Sequence, residues 1–242
     1  MTLAIIGLCT LVFAVQALLG ESARWDMLLG FSMIPAVVTG DRVLPDAIPT
    51  LGAAFSLLSA MFLHADFWHL AGNMMLLWLL GDGVEGAMGH LRFIVFYLLC
   101  GTAAALVQSF TAPGSEVPMI GASGAIGGVL GAYLVLHPRA NVRMLFVILF
   151  FIRVISVPAA VVLGLWFVMQ FISGATTPTS GGDGGVAFWA HVGGFVAGAV
   201  LVPFFKKRDV RLFEGPHSRA FQVSSATAPR RRGSVPPSGR RW

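Results

Sequence analysis

The amino-acid sequence predicts an all-α membrane protein, a polytopic bundle of six transmembrane helices. Hydrophobic residues make up 56% of the 242 positions, only 11% are charged, and the mean hydropathy is +0.81. Soluble domains have about 25% charged residues, so a chain this apolar needs lipid as its solvent. Glycine occurs 29 times, well above the usual ~7%, and glycine lets membrane helices approach closely.

Six apolar segments account for the predicted spans. A hydrocarbon core about 30 Å thick is crossed by about 20 helical residues. On that template the spans cover residues 2–20, 51–80, 91–111, 119–137, 157–174 and 186–205. The second is overlong, so we expect only part of it to lie in hydrocarbon. The run "MLFVILFFI" at 144–152 is too short to span and precedes Arg153, so we interpret it as an interfacial segment leading into span five.

The charge distribution predicts the orientation. Ten of the sixteen basic residues lie beyond the last span, and six spans place both termini on one side, which the positive-inside rule makes cytoplasmic. The inward connection at 138–156 carries three further arginines. The outward connections carry two basic residues against six acidic ones, namely Arg24 and Arg42 against Glu21, Asp26, Asp41, Asp46, Glu116 and Asp183.

Two regions follow from this pattern, a six-span domain over residues 1–205 and a basic tail over 206–242. The tail ends in "RRRGSVPPSGRRW" and cannot bury a core, so we expect it to be disordered. Because its basic residues are not interleaved with aromatic ones, we expect no nucleic-acid partner. A compact core without a long targeting extension indicates a multi-pass protein of a bacterial plasma membrane, with both termini cytoplasmic.

The fourth span opens with a single hydroxyl, Ser123, between Gly121 and Gly124 in the motif "GASG". A helix from Ser123 to His137 is about 22 Å long, roughly 8 Å short of the hydrocarbon core. We therefore expect the serine to lie below the outer surface, reached by irregular backbone. Such backbone needs surrounding protein or water, which predicts a water-filled cavity above Ser123. The alternative is a serine that only caps its own helix.

A lone histidine, His191, lies near the same outer face in the sixth span. It shares one helix face with Gly194 and Gly198, while Ser123 and Gly127 share a face of the fourth span. Small residues at this spacing let two helices approach closely. If the two faces meet, Ser123 and His191 lie together as a nucleophile and its general base. The alternative is a histidine that only packs in the bundle.

Three hydrogen-bond donors suit the oxyanion of a tetrahedral intermediate. His69 and Asn73 in "FLHADFWHLAGN" are four residues apart and hence on one helix face. The backbone N–H of Ser123, flanked by small residues at a helix N-terminus, is the third donor. His64 precedes His69 by five residues and points about 140° away on a helix, so we expect a structural role for it.

Other functions remain open at this point. Three histidines in a bundle could bind haem or a metal, but His64 and His69 point apart and no HExxH motif occurs. We therefore expect no metal and no other cofactor. The histidines could instead form the proton relay of a transporter.

Taken together, the motifs resemble those of the rhomboid family of intramembrane serine proteases. The carrying segments are "HADFWHLAGN", "GASG" and "AHVGGFVAG", which occur in the family's order within residues 51–205. The resemblance implies that Ser123 is the nucleophile and His191 the general base, a dyad without a carboxylate. His69, Asn73 and the Ser123 amide would form the oxyanion hole.

The resemblance also implies membrane-embedded substrates. These would be single-span or polytopic membrane proteins, cleaved within the lipid bilayer near its outer face without a cofactor. The open alternative within the family is a catalytically inactive relative that binds membrane clients.

Three further features of the chain are best described against the family pattern. Glu85 would be a structural residue of the inward loop, and Gln108 could hold water near the site. Many members have Trp-Arg ahead of span two, where this chain has Phe55 and Ser56. Some members stack an aromatic ring on the catalytic histidine from one turn beyond the serine, where this chain has Gly127.

Overall fold

The computed structural model of the chain describes residues 1–148, 151–177 and 187–213. These residues are mostly helical, with one β-hairpin. The elements in chain order are α1 (Thr2–Leu18), α2 (Glu21–Phe31), α3 (Pro35–Val38), α4 (Ala53–Ser59), a 3-10 turn (Ala60–Phe62), α5 (Phe67–Met88), α6 (His90–Thr111), α7 (Ser123–Leu136), β1 (Asn141–Ile148), β2 (Phe151–Pro158), α8 (Ala159–Thr176) and α9 (Phe188–Phe205).

A helix occupies the position of each predicted span, namely α1, α5, α6, α7, α8 and α9. In the described part of the chain, three of them, α6, α8 and α9, have both the length and the hydropathy needed to cross a bilayer. Helices α1 and α7 are apolar but have only 17 and 14 residues. The shortness of α7 agrees with the prediction made for the segment that begins at Ser123.

The predicted second span, 51–80, is wrong at both ends. The helical structure is interrupted before α5. The Asp66 carboxylate accepts hydrogen bonds from the amides of Trp68 (2.8 Å) and His69 (2.9 Å), and so caps α5 as a new helix. The His69 amide, and after it that of Trp68, holds the pKa of the Asp66 carboxyl below its usual range. Helix α5 then continues past the predicted end of this span, through residues 81–88, and Gly89, whose φ is +87°, ends it.

The all-α prediction is wrong for the segment between α7 and α8. Within the predicted interfacial segment, residues 144–148 and 151–152 belong to two antiparallel strands, in which Asn141 of β1 lies opposite Pro158 of β2. Residues 149 and 150 lie outside the described part of the chain. The sequence there is rich in Val, Ile and Phe, which favour strands. A short apolar run does not distinguish a strand from a helix by hydropathy alone.

The C-terminal end of α5 is tied to α1 by Glu85. This carboxylate accepts hydrogen bonds from the amide and the hydroxyl of Thr2, both at 2.7 Å, and it also contacts His90 at the start of α6. Glu85 is buried. It therefore joins three helices at one point, on α5 itself rather than in a loop.

The first residues of the predicted basic tail fold back onto the helices. Lys207 N donates to the carbonyl oxygen of Ala87 on α5 (2.8 Å), and Phe213 N donates to that of Val135 on α7 (2.9 Å). The ordered structure therefore extends past the predicted boundary. The rest of the predicted tail, 214–242, lies outside the described residues.

Helix α7 lies at the centre of the bundle, and all its residues from Gly124 to Tyr133 are buried. Its closest neighbour is α9. A Cβ atom at Gly194 would lie 2.0 Å from the carbonyl oxygen of Gly124, and one at Gly198 would lie 1.9 Å from that of Gly128. No side chain fits at either place, so the predicted meeting of the two glycine-lined faces is confirmed.

The close approach is reciprocal, because glycines of α7 also face the backbone of α9. A Cβ atom at Gly131 would lie 2.1 Å from the carbonyl oxygen of Phe195, and one at Gly127 would lie 3.0 Å from that of His191. Glycines of each helix thus contact backbone atoms of the other helix.

We expect Gly198→Ala to destabilise the protein by about 2 kcal/mol, because overpacking a tight interface costs about 1–3 kcal/mol. The matched control is Gly164→Ala on α8, where a Cβ atom would meet nothing within 4 Å. Alanine is the better helix former by about 1 kcal/mol, so the control should be neutral or slightly stabilising. Thermal unfolding of the purified variants in detergent measures both, and equal stability would contradict the proposed packing.

Candidate active site

Ser123 and His191 meet at the N-terminal ends of the two central helices, α7 and α9. Ser123 is the first residue of α7 and His191 the fourth of α9. Ser123 Oγ lies 2.8 Å from His191 Nε2, and His191 is only 9% exposed. Ala122, rather than Ser123, occupies the N-cap position of α7, and it makes no side-chain cap hydrogen bond. The hydroxyl is directed at the imidazole instead.

The backbone that leads into α7 is shaped by Gly121. Its φ of +116° lies in the left-handed region that favours glycine, and its N–H donates to the carbonyl oxygen of Ala60 at 2.9 Å. A Cβ atom here would lie 2.7 Å from the imidazole of His69. The His69 ring therefore lies against the chain just ahead of Ser123.

Asn73 lies one turn beyond His69 on α5, on the face directed at the same segment. Its side-chain Nδ2 lies 3.7 Å from the place where a Gly121 Cβ would be. The residue is 5% exposed, and Nδ2 has no hydrogen-bond partner among the described residues. A buried donor left unpaired costs about 1–3 kcal/mol, and such a group in a native protein requires an explanation.

His64 packs against the site from outside α5. Its ring meets that of His69 edge-on, with centroids 5.2 Å apart. The predicted 140° separation is wrong, because it assumed one continuous helix whereas α5 begins only at Phe67. The side-chain amide of Gln16 holds the backbone of His64 through two hydrogen bonds of 3.2 Å. His64 thus supports the His69 ring.

Several of these groups line a cavity next to the N-terminus of α7, where the sequence predicts one. Its volume is about 1170 Å³, and Ser123, His191 and His69 all contribute to its wall. One side is the irregular segment ahead of α7, which is held in place by a two-bond bridge between Met33 and Met119 (3.0 and 2.8 Å). The site is a recess at the end of the bundle where α7 and α9 begin.

Gln108 also lines the cavity, and its Oε1 accepts a hydrogen bond from the Ala190 amide at 3.2 Å. The first amides of a helix lack partners within the helix. Gln108 of α6 therefore anchors the first turn of α9, next to His191.

The sequence analysis missed the neighbours of His191 on α8. Its Nδ1 lies 2.7 Å from Gln170 Oε1, and the Trp166 ring lies beside the imidazole with centroids 5.8 Å apart. A glutamine in an apolar helix was the available signal, because polar residues in membrane spans are costly. At Gly127, in contrast, the α9 backbone leaves no room for an aromatic ring.

The donors present do not form a metal site within the described part of the chain. No group of three or more His, Cys, Asp or Glu residues there is arranged to hold a metal ion.

Comparison with known proteins gives three informative relatives. Rhomboid protein 1, mitochondrial, of Saccharomyces cerevisiae is 30% identical over 159 residues, which cover 63% of this chain and 42% of that protein. Rhomboid protease GluP of Bacillus subtilis is 34% identical over 154 residues, 62% of this chain and 26% of that protein. RHOMBOID-like protein 5 of Arabidopsis thaliana is 32% identical over 127 residues, 47% of this chain and 40% of that protein.

The chain therefore spans less than half the length of each of these relatives. A family model supplies the broader match, because the Rhomboid domain aligns with residues 52–208. That range holds α4 through α9, and with them Ser123, His191, His69 and Asn73. On this match the chain, a membrane protein, belongs to the rhomboid family.

Proposed function

We propose that this protein is an intramembrane serine endopeptidase. It hydrolyses peptide bonds of transmembrane substrates near the outer membrane face. The observation that carries the proposal is the 2.8 Å contact between Ser123 Oγ and His191 Nε2 at the wall of a cavity. Membership of a family that includes the Rhomboid protease GluP supports it.

In the proposed mechanism Ser123 Oγ attacks the carbonyl carbon of the scissile bond. Its proton passes to His191 Nε2, and a tetrahedral intermediate forms. The imidazolium then gives this proton to the leaving amine as the C–N bond breaks, which leaves an acyl group on Ser123. A water molecule from the cavity attacks the acyl carbon while His191 takes up its proton. Return of that proton to Oγ releases the new carboxyl end.

Three donors would stabilise the oxyanion in this proposal. They are the Ser123 amide, His69 and Asn73. The unpaired, buried Nδ2 of Asn73 supports the assignment, because an oxyanion would satisfy it. The N-terminus of α7 adds the favourable end of the helix dipole. Donors fixed in a recess act without reorganising during the reaction.

The proposed topology has α1, α5, α6, α7, α8 and α9 all crossing the membrane. Ser123 and His191 lie at one end of α7 and α9, and the opposite ends lead to Arg139 and Lys206. The positive-inside rule then makes the active-site end the outer one and the termini cytoplasmic. A bacterial plasma membrane stays a prediction, because the relatives come both from a bacterium and from mitochondria.

Substrates in this proposal are single-span or polytopic membrane proteins that lie in the same bilayer. A substrate helix must unwind locally, since a helical carbonyl is already hydrogen-bonded within its own turn. The cavity wall near Ser123 includes Gly101, Ala104, Gly124 and Ala125. Walls of this kind suit small residues close to the cleaved bond.

We expect Ser123→Ala and His191→Ala each to lower the cleavage rate by about 10⁴-fold or more, because the two residues act as a unit. The assay combines purified protein in detergent with a single-span substrate. Ser109→Ala is the matched control, since this buried serine only bonds its own helix at Ala105 and the Met33 sulfur. Normal cleavage by Ser123→Ala would reject the dyad, and wild type that cannot cleave would favour a transporter or a client-binding protein.

Covalent labelling gives a second check on the nucleophile. A fluorophosphonate probe should label wild-type protein at Ser123, because His191 activates this hydroxyl. Labelling should fall to background in both Ser123→Ala and His191→Ala. Label on another serine, found by peptide mass spectrometry, would assign the nucleophile elsewhere.

We expect Asn73→Ala and His69→Ala to lower kcat by about 10²–10³-fold, the usual cost of losing one oxyanion donor. Asn73→Ala should leave thermal stability equal or higher, because it removes a buried donor that has no partner in the resting protein. Kinetics and thermal unfolding on the same preparations measure both effects. A loss of stability large enough to explain the lost activity would contradict the oxyanion role.

A further inference from the structure

We propose that Gln170 is a positioning residue that fixes the tautomer and orientation of His191. The inference rests on the proposed function, and it assigns a third side chain to the Ser123–His191 pair. The carrying observation is the 2.7 Å contact between Gln170 Oε1 and His191 Nδ1, on the side of the ring opposite Ser123.

The chemistry of the amide sets the tautomer. A carbonyl oxygen only accepts hydrogen bonds, so contact with Gln170 Oε1 requires the proton of neutral His191 to lie on Nδ1. Nε2 then presents its lone pair to the Ser123 hydroxyl, as a general base must. With the proton on Nε2 instead, the ring could not accept the serine proton.

No other described side chain holds His191 by a hydrogen bond besides Gln170 and Ser123. The carboxylate that aligns the histidine of a serine protease triad has no counterpart among these contacts. Trp166 lies beside the ring at a centroid distance of 5.8 Å and a 37° angle, which limits tilt but not the choice of tautomer. Gly127 adds no side chain on the α7 side.

The position of Gln170 on α8 makes the contact a long-range one. Gln170 and Trp166 are four residues apart and so lie on one face of α8, the face that meets α9. Of the α8 residues only Ala159, Leu163 and Gly174 are buried. Much of the helix surface faces away from the protein, and the polar amide lies on the side where it has a partner. That placement favours a role at His191 over a chance polar residue.

The role of the amide differs from that of a carboxylate. Gln170 carries no charge, so it orients the imidazole without adding an electrostatic attraction for the imidazolium. Loss of the amide should therefore reduce the fraction of correctly oriented His191 and leave substrate binding unchanged. Misplacement of a reacting group by about 1 Å costs on the order of 10²-fold in rate.

The experiment compares Gln170→Met, which keeps the length of the side chain but removes the acceptor, with Gln170→Glu, which keeps an acceptor. The matched control is Met169→Ala, since Met169 is the preceding residue of α8 and is 63% exposed. We expect Gln170→Met to lower kcat about 10- to 100-fold with KM within about twofold. Gln170→Glu should recover most of the loss, and Met169→Ala should match wild type.

A spectroscopic readout makes the test independent of catalysis. Protein labelled with ¹⁵N-histidine in detergent reports the tautomer of each ring, and the His191 signal is the one absent from His191→Ala. Wild type and Gln170→Glu should have the proton on Nδ1, whereas Gln170→Met should have a mixture or the Nε2–H form. A ring with the proton on Nε2 in wild type would overturn the proposal.

The two proposals fail in different ways. If wild type does not cleave the substrate, the proposed protease function fails. The tautomer of His191 measured by ¹⁵N-histidine labelling then decides alone whether Gln170 positions this ring. If wild type cleaves but Gln170→Met has an unchanged kcat and an unchanged tautomer, the positioning role is wrong and the protease proposal stands.

Discussion

The close contact between α7 and α9 is the constraint on which the site depends. Gly194 and Gly198 of α9 lie against carbonyl oxygens of α7 with no space for a Cβ atom. Ser123 and His191 extend from the N-terminal ends of the same two helices, and their 2.8 Å contact tolerates displacement of only a few tenths of an ångström. Packing of helix backbone against helix backbone therefore fixes the distance between Ser123 and His191 that the proposed chemistry requires.

The recess above this contact follows from the length of α7. With 14 residues, α7 is shorter than its neighbours α6 and α9, and the chain ahead of it is irregular backbone. That backbone is protected by protein, because Gly121 donates to Ala60 and Met119 pairs with Met33. Irregular structure at membrane depth needs such partners. The same arrangement brings polar groups of α5 beside Ser123, away from lipid.

The features that could be predicted from the sequence are those that depend on spacing within one helix. The glycine faces of Ser123 and His191, and the four-residue spacing of His69 and Asn73, follow directly from helical periodicity. The features that could not be predicted from the sequence depend on partners elsewhere in the chain or on competition between local interactions. At the start of α5 the Asp66 cap, and not hydropathy, determines where the helix begins. The paired strands β1 and β2 have the same hydropathy as any short apolar run. The role of Gln170 depends on its contact with the His191 imidazole on another helix.

The unsatisfied amide of Asn73 has a consequence for selection experiments on this protein. We expect a substitution that supplies an oxygen to Nδ2, or removes Nδ2 altogether, to leave the stability of the resting fold equal or higher. If Asn73 has the proposed oxyanion role, screens for heat-resistant variants should enrich changes around Asn73 that impair the proposed cleavage, a trade-off between stability and activity. Libraries meant to raise stability without altering the proposed activity should hold this position fixed and diversify exposed sites of α8.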